Sequence, residues 1–273
     1  MTADTNTTID NPRLWRMALQ LSPQALSVVL TSMVSDSSLR RYSIPLDPSQ
    51  PYLKAIEDAI YSTPEILGDY GHIDLVARTT AYTVVPRGLD ESTAMQCGSY
   101  MKLGHADEES VLNTDITDCG RIVWAMPENV RNFLARTFRN APVQNHIAPL
   151  MRYLSRQACL GNSAKLFAHF AEGQVDILVF APGGNLALAA THPVDTDTDA
   201  LYFIMACARQ AGMDMMTDEI LLCGEQQRRS TLMPLLSRYA ARVMPLIFPS
   251  AALRAGREAF NAPFPLILIP ICE

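Results

Sequence analysis

Apolar and polar positions along the chain fall into a recurring order of strand-length and helix-length segments. Leu14 to Leu21, Ala25 to Val34 and Leu39 to Leu46 have strand composition, and the separators Ser22-Pro23-Gln24 and Ser35-Asp36-Ser37-Ser38 are turn chemistry, which predicts an antiparallel meander. Over 51–62, Pro51 suits a first helical turn and Leu53, Ile56, Ala59 and Ile60 share one face, so a helix is expected. A long strand is expected over 72–85, closed by Pro86. The stretch 88–119 is irregular, acidic around Asp107-Glu108-Glu109, and reads as an inserted subdomain. Arg121 to Met126 reads as a strand ended by Pro127, and 128–139 as an amphipathic helix with Val130, Phe133, Leu134 and Phe138 inward. A short strand near Val143 and a helix over 147–159 close this half.

After Leu160-Gly161-Asn162-Ser163 the opening pattern returns. Strands are expected over 164–170, 175–181 and 185–191, with turns at Glu172-Gly173 and Pro182-Gly183-Gly184. A helix over 198–210 stopped by Gly212, a strand over 219–223, a helix over 231–243 and a strand over 244–248 follow. Phe260 to Pro270 is apolar and proline-rich, and is expected to close the protein's own sheet. Two halves with one order of elements suggest a duplication: a first lobe over 13–160, a second over 161–273, and a flexible lead-in over 1–12.

Bulk properties narrow the class. The chain has 273 residues, 48% of them hydrophobic and 18% charged, which is a folding composition. A net charge of −6 without a dense basic cluster argues against nucleic-acid binding. Cys97, Cys119, Cys159, Cys207, Cys223 and Cys272 are scattered singly, as expected of reduced thiols in a cytoplasmic protein rather than of a zinc site or disulfide framework. No apolar run approaches the roughly 20 residues of a membrane span, and the polar N-terminus lacks the features of a secretion signal.

Three antiparallel strands followed by helix, strand, helix and strand form the order of a ribonuclease-H-like unit. On the 14–46 meander, Val84-Val85-Pro86, Val123-Trp124-Ala125-Met126-Pro127 and the ending Ile269-Pro270-Ile271-Cys272-Glu273, the chain resembles a bacterial family catalogued as a domain of unknown function, number 3822. The resemblance implies an α/β actin-like ATPase fold: two ribonuclease-H-like lobes, each a mixed sheet flanked by helices. ATPases of that superfamily carry an Asp and Gly-rich hairpin on each lobe for magnesium and phosphate.

The first hairpin, Leu19 to Ala25, has no carboxylate or glycine, and Pro23 removes an N–H donor. In the second, 168–177, only Gly173 and Asp176 match; His169 replaces the leading Asp, and Glu172 puts negative charge where phosphate would sit. Gly173 also reads as a plain turn glycine and Asp176 as a solvent-facing strand residue. The adenosine-side turn keeps one glycine, Gly224, with Cys223 in place of the other. ATP and magnesium thus have a degenerate site, and the expected role is non-catalytic or weakly nucleotide-binding docking of a protein partner, in the cleft or on 88–119. The rival reading is a working ATPase or phosphotransferase with Asp176, Asp74 or Glu172 on magnesium.

No serine-nucleophile or P-loop pattern occurs, and Gly183-Gly184 lies between strands rather than before a helix. His72, His105, His146, His169 and His192 lack metal-ligand spacing, and His146 reads as a capping or surface residue. Met213 to Met216 reads as core filler.

Overall fold

A computed structural model describes residues 9, 11–36, 38–86, 88–100, 109–116 and 120–272. His105, Cys119, Asp107-Glu108 and most of the lead-in lie outside them.

The opening meander forms as the pattern predicts, with β1 (Trp15–Leu21), β2 (Ala25–Ser32) and β3 (Arg40–Pro45). β1 pairs antiparallel with β2 from Trp15↔Ser32 to Leu21↔Leu26. After α1 (Tyr52–Tyr61), β4 (His72–Ala77) lies parallel on the other side of β1. The expected long strand is broken here. Arg78 donates its N–H to the Leu21 carbonyl at 2.8 Å, the Thr79–Ala81 turn follows, and β5 (Tyr82–Val85) joins a different sheet. The threonines at 79 and 80 have strand propensity, so strand composition runs on through the turn and only Arg78 marks it.

The segment read as irregular contains α2 (Glu91–Tyr100) and β6 (Glu109–Ile116). β6 and β5 flank β7 (Gly120–Pro127) in a three-stranded antiparallel sheet. α3 (Glu128–Thr137) buries Val130, Phe133 and Leu134 as expected. β8 (Val143–Asn145) then pairs parallel with β4, completing the first sheet in the order β3-β2-β1-β4-β8, and α4 (Ile147–Ala158) follows.

The second half repeats that sheet. β9 (Lys165–Ala171), β10 (Gln174–Phe180) and β11 (Leu186–Pro193) form its meander. Between β9 and β10 only Glu172 and Gly173 turn the chain, with φ of 54° and 69°, the positive pair of a type I′ hairpin turn. α5 (Asp197–Gln210) starts on a capping box between Thr196 and Asp199. β12 (Glu219–Gly224), α6 (Gln226–Leu236) and β13 (Val243–Pro245) complete the order β11-β10-β9-β12-β13. α6 begins and ends earlier than expected: the polar run Gln226 to Arg229 consists of good helix formers without an apolar stripe, and the chain leaves the helix at Ser237.

After α7 (Ser250–Leu253) the chain ends in α8 (Phe264–Cys272), a helix rather than the expected sheet-closing strand. Pro265 sits in the first turn, where no N–H bond is lost. Leu266, Ile267 and Ile269 cover Ala18, Val29 and Val76 on one face of the first sheet. Phe264 meets Tyr153 of α4 edge-on at 6.1 Å, so the helix is apolar all round because residues 264–269 are buried all round. The other face of the first sheet, with Met17, Leu19 and Leu75, shares one core with α1, α3, α4 and with Phe167, Leu178 and Phe180 of the second sheet. The second sheet's remaining face packs Leu166, Val175 and Ile177 against α5 and α6. The fold is α/β, with mixed sheets flanked by helices.

Candidate functional site

The two hairpins, the end of β12 and the start of α8 surround a cleft of about 550 Å³. Its wall includes Gln20, Arg78, His169, Glu172, Gly224 and Arg229. On the first-sheet side, the hairpin's hydrogen bonds are spent internally. The Ser22 N–H and hydroxyl both donate to the Ala25 carbonyl, at 3.0 and 2.9 Å, and the Ala25 N–H donates to the Ser22 hydroxyl at 3.1 Å. Pro23 has no N–H, so the loop offers little to an anion.

Opposite lies the Glu172-Gly173 turn. Gly173 has open space around its Cβ position and does not line the cleft, and its positive φ answers to the turn. Glu172 accepts a hydrogen bond from the Gln20 side-chain amide at 3.2 Å, and its N–H donates to the Glu225 carboxylate at 3.0 Å. Burial first, then the nearby Glu172 charge, raises the Tyr52 phenol to about 12. Gly224 does line the cleft. Its φ is 85°, and a Cβ there would lie 2.1 Å from the Phe170 carbonyl oxygen, so the backbones of β12 and β9 approach too closely for any side chain.

Asp176 is not solvent-facing: it is fully buried. The register explains its neighbours, because His169 on β9 and Thr191 on β11 stand directly across from it. His169 Nδ1 donates to one carboxylate oxygen at 2.9 Å and the Thr191 hydroxyl to the other at 2.9 Å. Two more partners come from the first sheet. The parallel strands β4 and β8 end side by side and deliver Arg78 and His146 from just beyond their last residues. The Arg78 guanidinium lies 3.2 Å from Asp176, and His146 Nε2 is 3.1 Å away. Arg78 also reaches the Ala171 carbonyl at 3.3 Å and the Gln174 side chain at 3.2 Å. His146 occupies the N-cap position of α4, but its side chain makes no cap and is a buried clamp residue, not a surface one; the Asn145 side-chain oxygen accepts the Ile147 N–H at 2.9 Å.

Burial alone would raise the Asp176 pKa, but Arg78 and the histidine contacts outweigh it and hold the carboxyl well below the ordinary range. Burial lowers the His146 pKa, with Asp176 opposing, so His146 is a neutral donor and Arg78 supplies the formal charge. Burial, reinforced by Asp176, pushes the Tyr82 phenol up; its hydroxyl lies 3.0 Å from that of Thr191. Burial, again with Asp176, raises the Cys223 thiol, so Cys223 is protonated in the cleft wall.

Of the residues the sequence singled out, His169, Glu172 and Gly224 line the cleft, and Asp176 lies buried behind His169. Asp74 is elsewhere, bound to Arg16 at 2.5 Å. Arg78, His146, Thr191 and Tyr82 were not flagged as site residues; an arginine directly after the apolar Leu75-Val76-Ala77 was the available signal. Among the described residues no helix is long and apolar enough to cross a membrane.

A search of curated proteins finds no match. A Bacteroides thetaiotaomicron protein with actin-like ATPase fold and unknown function superposes with a TM-score of 0.79 at 19% identity, over 96% of this chain and 99% of that one. A chain of a PilM-PilN type IV pilus biogenesis complex superposes with a TM-score of 0.52 at 13% identity, over 94% and 98%. The first of these likenesses shows the actin-like ATPase fold. A family model, described as Protein of unknown function (DUF3822), matches residues 4–243, and the chain belongs to that family.

Proposed function

We propose that this is a non-catalytic member of the actin-like ATPase fold that docks a protein partner, with its nucleotide site eroded. The observation that carries this reading is the state of Asp176. A magnesium ligand needs a free carboxylate oxygen facing the phosphates. Both oxygens here are occupied, one by Thr191 and His146 and the other by His169, with Arg78 beside them. The internally bonded first hairpin and the Glu172 and Glu225 carboxylates beside the cleft work against a polyphosphate as well. The buried clamp joins lobes we assign to 13–160 and 161–273, with the closing helix reaching back to the first sheet. Partner docking gains support from the likeness to a chain solved within a PilM-PilN complex. A cytoplasmic setting is part of the reading, supported by the unpaired cysteines among the described residues.

The test is thermal unfolding with and without millimolar ATP and magnesium, read beside direct titration of a fluorescent ATP analogue. A ligand of the native state raises apparent stability. No shift and no titration are expected. Saturable binding abolished by Asp176→Asn in folded protein would instead establish the working-ATPase reading.

A further inference from the structure

β11 is an edge of the second sheet, and among the described residues it pairs only with β10. Such an edge offers unpaired N–H and C=O groups to another strand, and folded proteins blunt it with charge, proline or brevity. The other described sheet edges are blunted in these ways. β3 carries Arg40 and Arg41 and ends at Pro45, β6 carries Glu109 and Asp115, and β5, β8 and β13 have only four, three and three residues. β11 runs for eight residues without an acidic, lysine or arginine side chain. None of its residues is buried, whereas β10 beside it is buried from Val175 to Phe180.

The phase of the ladder shows which groups are free. The Val194 N–H donates to the Gly173 carbonyl at 2.8 Å, and hydrogen-bonded positions alternate from there, so Leu188, Ala190 and His192 face β10 with their backbone groups. Ala189 and Thr191 therefore turn their N–H and C=O groups outward.

Two copies of this edge fit one another. Antiparallel pairing about a two-fold axis at Ala190 sets Thr191 opposite Ala189 of the second copy and Ala189 opposite its Thr191, so the outward groups of both residues are satisfied in both copies. Ala190 meets its own equivalent on the axis, in the non-hydrogen-bonded kind of pair where side chains come closest and a methyl group fits. On the same face Leu188 of the second copy meets His192, which stacks on Phe203 at 4.2 Å, with the exposed Tyr202 ring 5.4 Å from Phe203. The chain carries a net charge of −6, yet this pairing sets no like charges opposite one another along the strand, which favours a second copy over a charged partner strand. We propose that β11 pairs with β11 of a second copy, joining the second sheets of two molecules into one continuous sheet. The pairing stands apart from the cleft and from whether nucleotide binds there.

Sedimentation velocity of the full chain over a concentration series tests it, with a dimer fraction that grows up to about 100 µM expected. Ala189→Pro removes an outward N–H and leaves the bonds to β10 in place, so it should weaken the dimer at least about tenfold while the circular dichroism of the chain stays native. Ala190→Lys sets two like charges face to face on the axis and should do the same. Under mild oxidation Ala190→Cys should give a disulfide-linked dimer, because directly opposed residues of this kind have Cα atoms about 4.5 Å apart. Leu188→Cys and the unaltered chain should not. A chain that stays monomeric at every concentration overturns the proposal and leaves the edge to a strand of another protein. A dimer indifferent to both Ala189→Pro and Ala190→Lys overturns it too, and crosslinking of Leu188→Cys in place of Ala190→Cys overturns the pairing about Ala190.

Discussion

Replacing Asp176 with Asn keeps the side-chain shape and removes the charge on which both lobes converge. The carboxylate accepts from Thr191 and His146 at one oxygen and from His169 at the other, with Arg78 close to both. Asn can offer an acceptor on one side only. Its NH2 group must then face either His169 Nδ1–H or the Thr191 and His146 donors, and the buried guanidinium loses its counter-charge. Breaking a buried ion pair from one side costs about 3–5 kcal/mol. At the usual unfolding entropy per residue, that lowers the melting temperature of a chain this long by roughly 5–9 °C. Because Asp176 comes from the second sheet while Arg78 and His146 come from the first, the single transition should also split into two. Scanning calorimetry with urea unfolding at pH 7 reads both effects. A loss below about 1 kcal/mol with one sharp transition would refute the clamp.

Other outcomes follow from the same geometry. Gly224→Ala should cost roughly 3 kcal/mol or more, because its Cβ would strike the Phe170 carbonyl, whereas Gly173→Ala, with open space around it, should cost only about 1 kcal/mol for its positive φ; urea unfolding separates them. His146 has a folded pKa below its unfolded value of 6.5, so below that pH the unfolded chain binds a proton the native state refuses, and stability falls on acidification by up to about 1.4 kcal/mol per pH unit. His146→Asn should flatten that slope in pH-dependent unfolding between pH 6.5 and 5. Asp176, with its folded pKa depressed, contributes stability that is fully present above the unfolded carboxylate range and is lost progressively as pH falls from that range through the folded value, so it does not account for a decline in that window. In the native protein at pH 8, exposed Cys159 should react quickly with a thiol reagent, and Cys223, buried and held protonated, should react only on unfolding.

Much of the fold was legible because strand and helix periodicities recur in order on both sides of Ser163, and because turn residues such as Glu172-Gly173 sit where two strands must reverse. The exceptions have physical causes. The break between β4 and β5 falls at Arg78-Thr79-Thr80, where the two threonines keep strand composition running across the turn, and α8 is buried on every side from Phe264 to Ile269, so it carries no periodicity to read. The site was harder, because it is made by register and by packing across the lobes. His169 and Asp176 are seven apart, and only the two-residue turn between their strands makes them direct cross-strand neighbours. Arg78 and His146 are remote in sequence, and come together because β4 and β8 run parallel and end level with one another. A motif search compares residues along the chain and is blind to such a meeting. It singles out Asp176, yet the histidine at 169 changes what that carboxylate can do. A second Asp there would repel it and leave the pair in need of a cation. A histidine instead donates to it, and with Arg78 satisfies within the protein the charge that a metal would otherwise balance. His169 on β9 and Arg78 just past the end of β4 thus hold Asp176 as an internal fastening between the two sheets.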